Sequence, residues 1–468
     1  MSLIVRNDPA WVALLRFGMG PKPGSVARIG RTRASAIAAC KRELQNPRSH
    51  LISSTNDLPL PTETEAARSF SGSSVVADQR RQKIFRDERT ARYIKHLEPD
   101  VGFVERLVLF WSNHFSMSRS VLYGLGQWER DVIRPNVLGK FPDMLRGVIQ
   151  HFTMLRFLDN VSSTGPNSFY GRRQQIGINE NLAREILELH TLGEGGGYTQ
   201  RDIRELALAI TGWKTNGDGF LYDKFYHEPG TRTVMGKTYA EVNDTNAQGL
   251  AILGDLAVHS STAKHIAFKL LFHFVTNSPT PRMVNRLATV FEDTGGDLKK
   301  VAEELLDMPE SWTAPRNRIQ LPYVWLVSQA RALDFRREHF LRVLATTPNN
   351  IDIRLVDHFD LWLDSLFHNP WGWLTPDGFP DEGSFWMNGD AIRLRSGVAN
   401  LVLSRGESLG TLATTDALGS TAFSRLLSAK TVKTMEDLKG LEYAFKRDEL
   451  KGRAAWNLAF MSPEFLYR

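Results

Sequence analysis

Residues 101–112 read Val-Gly-Phe-Val-Glu-Arg-Leu-Val-Leu-Phe-Trp-Ser and are apolar on most sides when wound as a helix. A helix of that kind is buried, so the rest of the chain has to wrap it. Other helical patterns supply the wrapping, at 143–158, 181–192, 201–213, 247–256, 261–275, 282–292, 298–306, 322–333, 354–367 and 391–403, with two more at 437–445 and 452–460. Alternating patterns are scarce. Phe220–Phe225 and Thr233–Met235 are the best candidates for strands, pairing as one small hairpin. The expected class is mainly α, a large helical body with long loops at 160–180, 214–245 and 369–390.

Composition agrees with a folded interior. The chain has 468 residues, of which 42% are apolar and 24% charged, near the soluble globular average. A disordered chain, a collagen and a small disulfide scaffold are excluded. The single cysteine, Cys40, excludes an internal disulfide and a zinc site built on several thiolates. It lies in an apolar helical stretch and reads as a buried structural thiol. The net charge of +6 is small for this length, so nucleic acid is not an expected partner. The densest basic run, Arg80, Arg81, Lys83 and Arg86 followed by Arg89 and Arg92, is interrupted by Asp87 and Glu88 and reads as a solvated helix face.

No window of about 18 apolar residues stands out, so no membrane span is expected. The first residues, Met1-Ser-Leu-Ile-Val-Arg, do not read as a signal peptide. The expected location is cytoplasmic as written, or exported if a leader has been removed. The expected organisation is a helical N-terminal segment over 1–45, then a flexible linker or lid over 46–78, rich in Ser, Thr and Pro. The main helical domain runs over 79–468, with its core signature at 101–213.

Several blocks resemble a known bacterial family, the domain of unknown function 1800. They are Val104-Glu-Arg-Leu-Val-Leu-Phe-Trp-Ser-Asn-His-Phe115 and Asn179-Glu-Asn-Leu-Ala-Arg-Glu-Ile-Leu-Glu-Leu-His-Thr-Leu-Gly193, the latter continuing through Gly196-Gly-Tyr-Thr-Gln-Arg-Asp202 to Ala209-Ile-Thr-Gly-Trp213. Arg16-Phe-Gly-Met-Gly-Pro21, Leu158-Asp-Asn160, Pro376-Asp-Gly-Phe-Pro380 and Ser462-Pro-Glu-Phe465 also fit. The resemblance implies a large, mostly helical protein without an agreed activity. It also implies, for many members, export and a gene beside a sulfatase-like family, hence a possible partner of that kind. As written, the chain is expected to depart from the family in showing no export signal. It also has His190 where an aromatic residue is common and Phe152-Thr153 where Pro-Ala is usual.

Polar motifs supply the candidate site. On an ideal helix Asn181, Glu185 and Glu188 fall within an arc of roughly 60°, with Arg184 beside them. Two carboxylates one turn apart suit a divalent cation or acid–base work, or simply an acidic face paired to Arg184. His190 lies about 160° from Glu188 and reads as a core histidine. Asn113-His114 ends the buried helix, where the imidazole serves as a ligand, a base or a cap. Asp159-Asn160 reads as a helix terminator or a further carboxylate. Thr199 and Asp202 resemble a capping box. His227-Glu228 lies in a loop, either at the surface or covering the cleft. Trp362, Trp371, Trp373 and Trp386, with Asp377, Asp381 and Glu382, either fill the core or stack on a sugar.

The expected catalytic residues are His114, Glu185, Glu188 and His227. Expected substrate contacts are Asn113, Arg184, Trp213 and Trp373. Expected ligands of a divalent metal ion, its identity open, are His114, Glu185, Glu188 and Asp159. The favoured expectation is a metal-assisted hydrolytic enzyme with a carboxylate/histidine cleft. The alternative is a non-catalytic scaffold or accessory of a sulfatase-like partner.

Overall fold

Helix starts carry their own signals along the chain. Thr32, Ser74, Thr199, Thr280, Asp297 and Asn388 each accept a backbone N–H of the helix they open, and Pro281 occupies the first position after Thr280. At Thr199 the box is complete, because Asp202 returns a bond to the Thr199 backbone. The computed structural model describes residues 8–46, 50–69, 74–118, 124–217, 219–241, 246–347, 352–411, 456–457 and 459–468. The helix expected at 437–445, and most of the one at 452–460, lie outside them.

The buried helix spans Phe103–His114. Gly102 precedes it at φ 92, and a Cβ there would stand 2.7 Å from Met19 Cγ, so only glycine fits this entry. Its first N–H groups are satisfied from another helix. Glu43, on Arg33–Leu44, accepts from Val101, Gly102 and Phe103 at 2.7–3.1 Å. Phe103, Leu107, Val108, Phe110 and Trp111 join a large apolar cluster with the N-terminal segment and the helices up to Trp312. A second cluster gathers Tyr93, Ile94, Trp325, Phe359, Val402 and Phe465.

A buried ion network lies beside these clusters. Arg92 binds Glu129 at 2.9 Å, Arg134 binds Glu105 at 2.9 Å and Glu129 at 3.3 Å, and His96 reaches Glu105 at 3.2 Å. Burial opposes the Glu105 charge, but Arg134 and His96 pull its pKa down to about 2. Losing one partner of such a network typically costs about 3–5 kcal/mol, because the other charge stays buried. Arg331 ties the N-terminal turn to the centre, donating to the carbonyls of Gly20, His96, Pro99 and Asp100 at 2.9–3.0 Å.

Several expectations change in detail. The Phe220 and Thr233 segments do not pair with each other. Trp213–Asn216 pairs with Gly219–Tyr222, and Arg232–Val234 with Lys237–Tyr239, each antiparallel to its nearest neighbour in sequence. A third pair joins Ala345–Thr346 to Asp352–Ile353. The helix expected at 143–158 breaks into Phe141–Ile149 and Phe152–Phe157, since His151 turns extended and caps the second. The stretch expected as a linker is not free over 50–69. Leu58, Leu60, Ala66 and Ala67 are buried there, and Glu63–Ser69 is helical.

The basic run lies on the long helix Val75–Leu97. Its solvated face covers only part of it. Arg89 pairs with the buried Asp360, and Arg92 enters the ion network. No described helix is long and apolar enough to cross a membrane.

Candidate functional site

The signature helix runs Asn181–Glu185 and closes with a π turn, Ile186–His190. Its last carbonyls are capped from other helices. His265 Nε2 donates to Leu189 O at 3.1 Å and His114 Nε2 donates to His190 O at 3.2 Å. His114 is therefore a neutral donor, buried among Phe110, Trp111, Phe115 and Phe141. Burial, and then Lys269, hold its pKa far below the usual imidazole value. His190 is wholly buried, with its ring 6.0 Å from that of His114. The expected histidine ligand thus serves as a cap, and for a different helix from its own.

The outer face of the signature helix carries the carboxylates. Arg184 reaches Glu180 and Glu188 at 3.5 Å each, and Gln200 at 3.2 Å. Glu185 makes no hydrogen bond or ion pair among the described residues. It is half-buried, and burial, then Glu188, then Asp377, raise its pKa despite Arg184. The two carboxyls therefore differ in kind. Glu188 is held by a cation, whereas Glu185 is unpaired and biased toward its protonated form.

Asp377 reaches this face from the 376–380 loop, which Asn113 holds in place. Asn113 Nδ2 donates to Phe379 O at 3.0 Å, and its Oδ1 accepts from Phe379 N at 2.8 Å. Gly378, at φ 82, lies so close that a Cβ would stand 2.4 Å from Asn113 O. Trp373 Nε1 and the Thr375 hydroxyl both donate to Asp377. Asn113 is thus a clamp for the loop, and Trp373 is half-buried beside it. Trp362, Trp371 and Trp386 fill the interior.

Behind this face lies a polar stripe on the helix Ser260–Phe274, made of His265, Lys269 and His273 at successive intervals of four. Lys269 is half-buried and makes no hydrogen bond among the described residues. Burial lowers its pKa to about 8, against the pull of Asp381 and Asp377. His273 Nδ1 donates to both oxygens of Asp381 at 2.8–2.9 Å, and its Nε2 accepts from Arg106 at 3.3 Å. Burial alone would raise the Asp381 carboxyl, but His273 and Arg468 hold it well below the carboxylate range. These residues were missed from the sequence. For His265, Lys269 and His273 the available signal was their spacing of four along one helix.

The remaining expected residues stand elsewhere. His227 Nδ1 donates to Thr211 O at 3.0 Å, and Glu228 accepts from Asn167 N and Nδ2 at 2.7 and 2.6 Å. Both are buried and anchor their loop. Trp213 is fully buried in the large cluster and offers no face to a substrate. Asp159 adopts φ 56 at an exposed helix end, while the buried Asn160 donates to Ile210 O and Trp213 O. Among the described residues no group of three or more His, Cys, Asp and Glu could hold a metal ion. His114, Glu185, Glu188 and Asp159 are not gathered into one ligand set.

No curated protein and no solved structure matches the chain. The sequence profile of a family described as a protein of unknown function, DUF1800, matches residues 12–467, nearly its whole length, and the chain belongs to that family.

Proposed function

We propose that the protein is a hydrolytic enzyme that works by general acid–base catalysis on the Glu185/Glu188 face. The observation that carries this reading is the unlike state of two neighbouring carboxyls. Glu185 is unpaired and raised, as a proton donor needs to be, and Glu188 is ion-paired with Arg184. In this reading Glu185 protonates the leaving group and Glu188 takes the proton of the attacking water. Asp377 adds to the burial and the Glu188 charge that raise Glu185, Asn113 positions Asp377 through its loop, and Trp373 flanks the substrate.

The test is hydrolysis of 4-nitrophenyl esters, glycosides and phosphates by the wild-type protein and by Glu185→Gln. The variant should lose about 10²–10⁴-fold in rate, and wild-type activity should fall as pH rises through the Glu185 titration. Equal turnover in both proteins would remove Glu185 from the site. Metal assistance is read separately, by elemental analysis of dialysed wild-type, Glu185→Ala and His114→Ala proteins.

A second reading, a non-catalytic scaffold, is favoured by the Glu180–Arg184–Glu188 ion pairs and by the distinct capping role of His114. It predicts no turnover on any of these substrates and co-purification with a sulfatase-like partner.

A further inference from the structure

Three buried guanidiniums are packed around one half-buried carboxylate, Asp381, apart from the Glu185 face. Arg106, Arg318 and Arg468 are 0%, 2% and 1% exposed. Arg468 pairs with Asp381 Oδ1 at 3.1 Å, Arg106 reaches Asp381 only through His273, and Arg318 donates to the Asp381 main-chain oxygen at 3.0 Å. Asp381 acts on all three charges, and Glu382 adds a second negative charge near Arg318, so Arg106 has no acidic partner of its own. A buried charge without a counter-charge costs several kcal/mol. The same side chains hold unused donors: Arg106 Nε, and Nε with Nη1 on both Arg318 and Arg468, are buried and without a hydrogen-bond partner.

A cavity of about 60 Å³ opens against this group. Arg92, Arg106, Asn113, His273, His368 and Trp371 are among the residues that line it. Arg92 is already neutralised by Glu129, so the open charge at the wall is Arg106. His368 Nδ1 accepts from Tyr323 N at 3.0 Å. Its neutral ring therefore carries the proton on Nε2, and no described residue accepts it. His368 is 7% exposed. The wall thus combines a cation, one unspent N–H donor on His368 and a volume that would hold about four waters. Leu109, Met117, Leu321, Val324 and Phe379 supply apolar lining.

We propose that this cavity binds a small inorganic oxyanion, of the phosphate or sulfate type, held by Arg106 and His368. The anion supplies counter-charge to Arg106 and accepts the free His368 N–H. It is a separate site from the carboxylate face, and the proposal stands or falls independently of the hydrolytic reading.

The test is equilibrium dialysis of the full chain against radiolabelled phosphate, and separately sulfate, in chloride buffer of fixed ionic strength. Saturable binding of one anion per chain is expected. It should weaken about tenfold or more in Arg106→Gln and in His368→Asn, each of which deletes one charged or directed hydrogen bond to the anion. The His368 variant keeps an acceptor for Tyr323 N–H, so it reads the site even if Arg106→Gln does not fold. Absence of saturable binding, or binding unchanged in His368→Asn, would overturn the proposal.

Discussion

Acidification from about pH 7.5 to about pH 5.5 should load the unfolded chain with protons that the native chain refuses. Burial pushes His96 and His265 down to about 4, and His151, His190, His273 and His368 down to about 3. An unfolded histidine takes its proton near pH 6.5. Below that value the unfolded state binds more protons, so the stability tied to these rings is lost as pH falls. Each of the six contributes about 1.4 kcal/mol of loss by about pH 5.5, roughly 8 kcal/mol together. Two buried carboxyls act in the opposite sense. Burial raises Glu88 and Asp360 to about 7, against Arg130 and Arg89. The native state keeps their protons between the ordinary carboxyl range and about 7, which returns about 2 kcal/mol each as pH falls.

A net loss of roughly 4 kcal/mol remains, a large part of the 5–15 kcal/mol that holds a typical domain. The direct assay is proton uptake on urea unfolding, read by pH-stat in weak buffer, which does not require reversible two-state behaviour. These eight groups alone give uptake near zero at about pH 7.5 and about three to four protons per chain at about pH 5.5, and His114, held far below the usual imidazole value, adds to the latter. Net release or no uptake at the lower pH would refute the assignment of buried neutral imidazoles.

Two substitutions test the supports of the site. Glu43→Ala strands three buried N–H groups at the start of the Phe103–His114 helix; relief of a buried carboxylate offsets part of that, and a loss of about 2–4 kcal/mol is expected in thermal or urea unfolding. A loss under about 0.5 kcal/mol would mean the cap is dispensable. Asn113→Ala removes both bonds to Phe379 and should cost about 1–2 kcal/mol, with faster hydrogen exchange across 377–381; unchanged exchange there would show that the loop is held by other contacts.

What was legible in the sequence follows the range of the physics involved. Helix type and the main apolar faces depend on neighbours three or four residues apart. So the Phe103–His114 helix, the signature helix and the Thr199/Asp202 box could be read directly. The carboxylate pair was legible for the same reason, since Glu185 and Glu188 share one turn. Hairpin pairing was legible only as strand propensity, because two short segments can pair with each other or each with its own neighbour.

The roles of single polar groups were not legible, because they depend on what packs opposite. His114 ends one helix and caps another, about 76 residues on in the chain. Glu43 looks like a surface residue of an amphipathic helix, yet it serves the buried helix from across the fold. His265 gains meaning only beside the signature helix, and Lys269 and His273 only when the Asp377–Asp381 loop arrives, a loop fixed by Asn113 from far earlier in the chain. Local order therefore determined the class, the helices and the family, through short-range periodicity and motif. Tertiary packing alone decided which donors meet which acceptors, since burial makes every unpaired polar group costly and only the folded chain brings distant partners within hydrogen-bond reach.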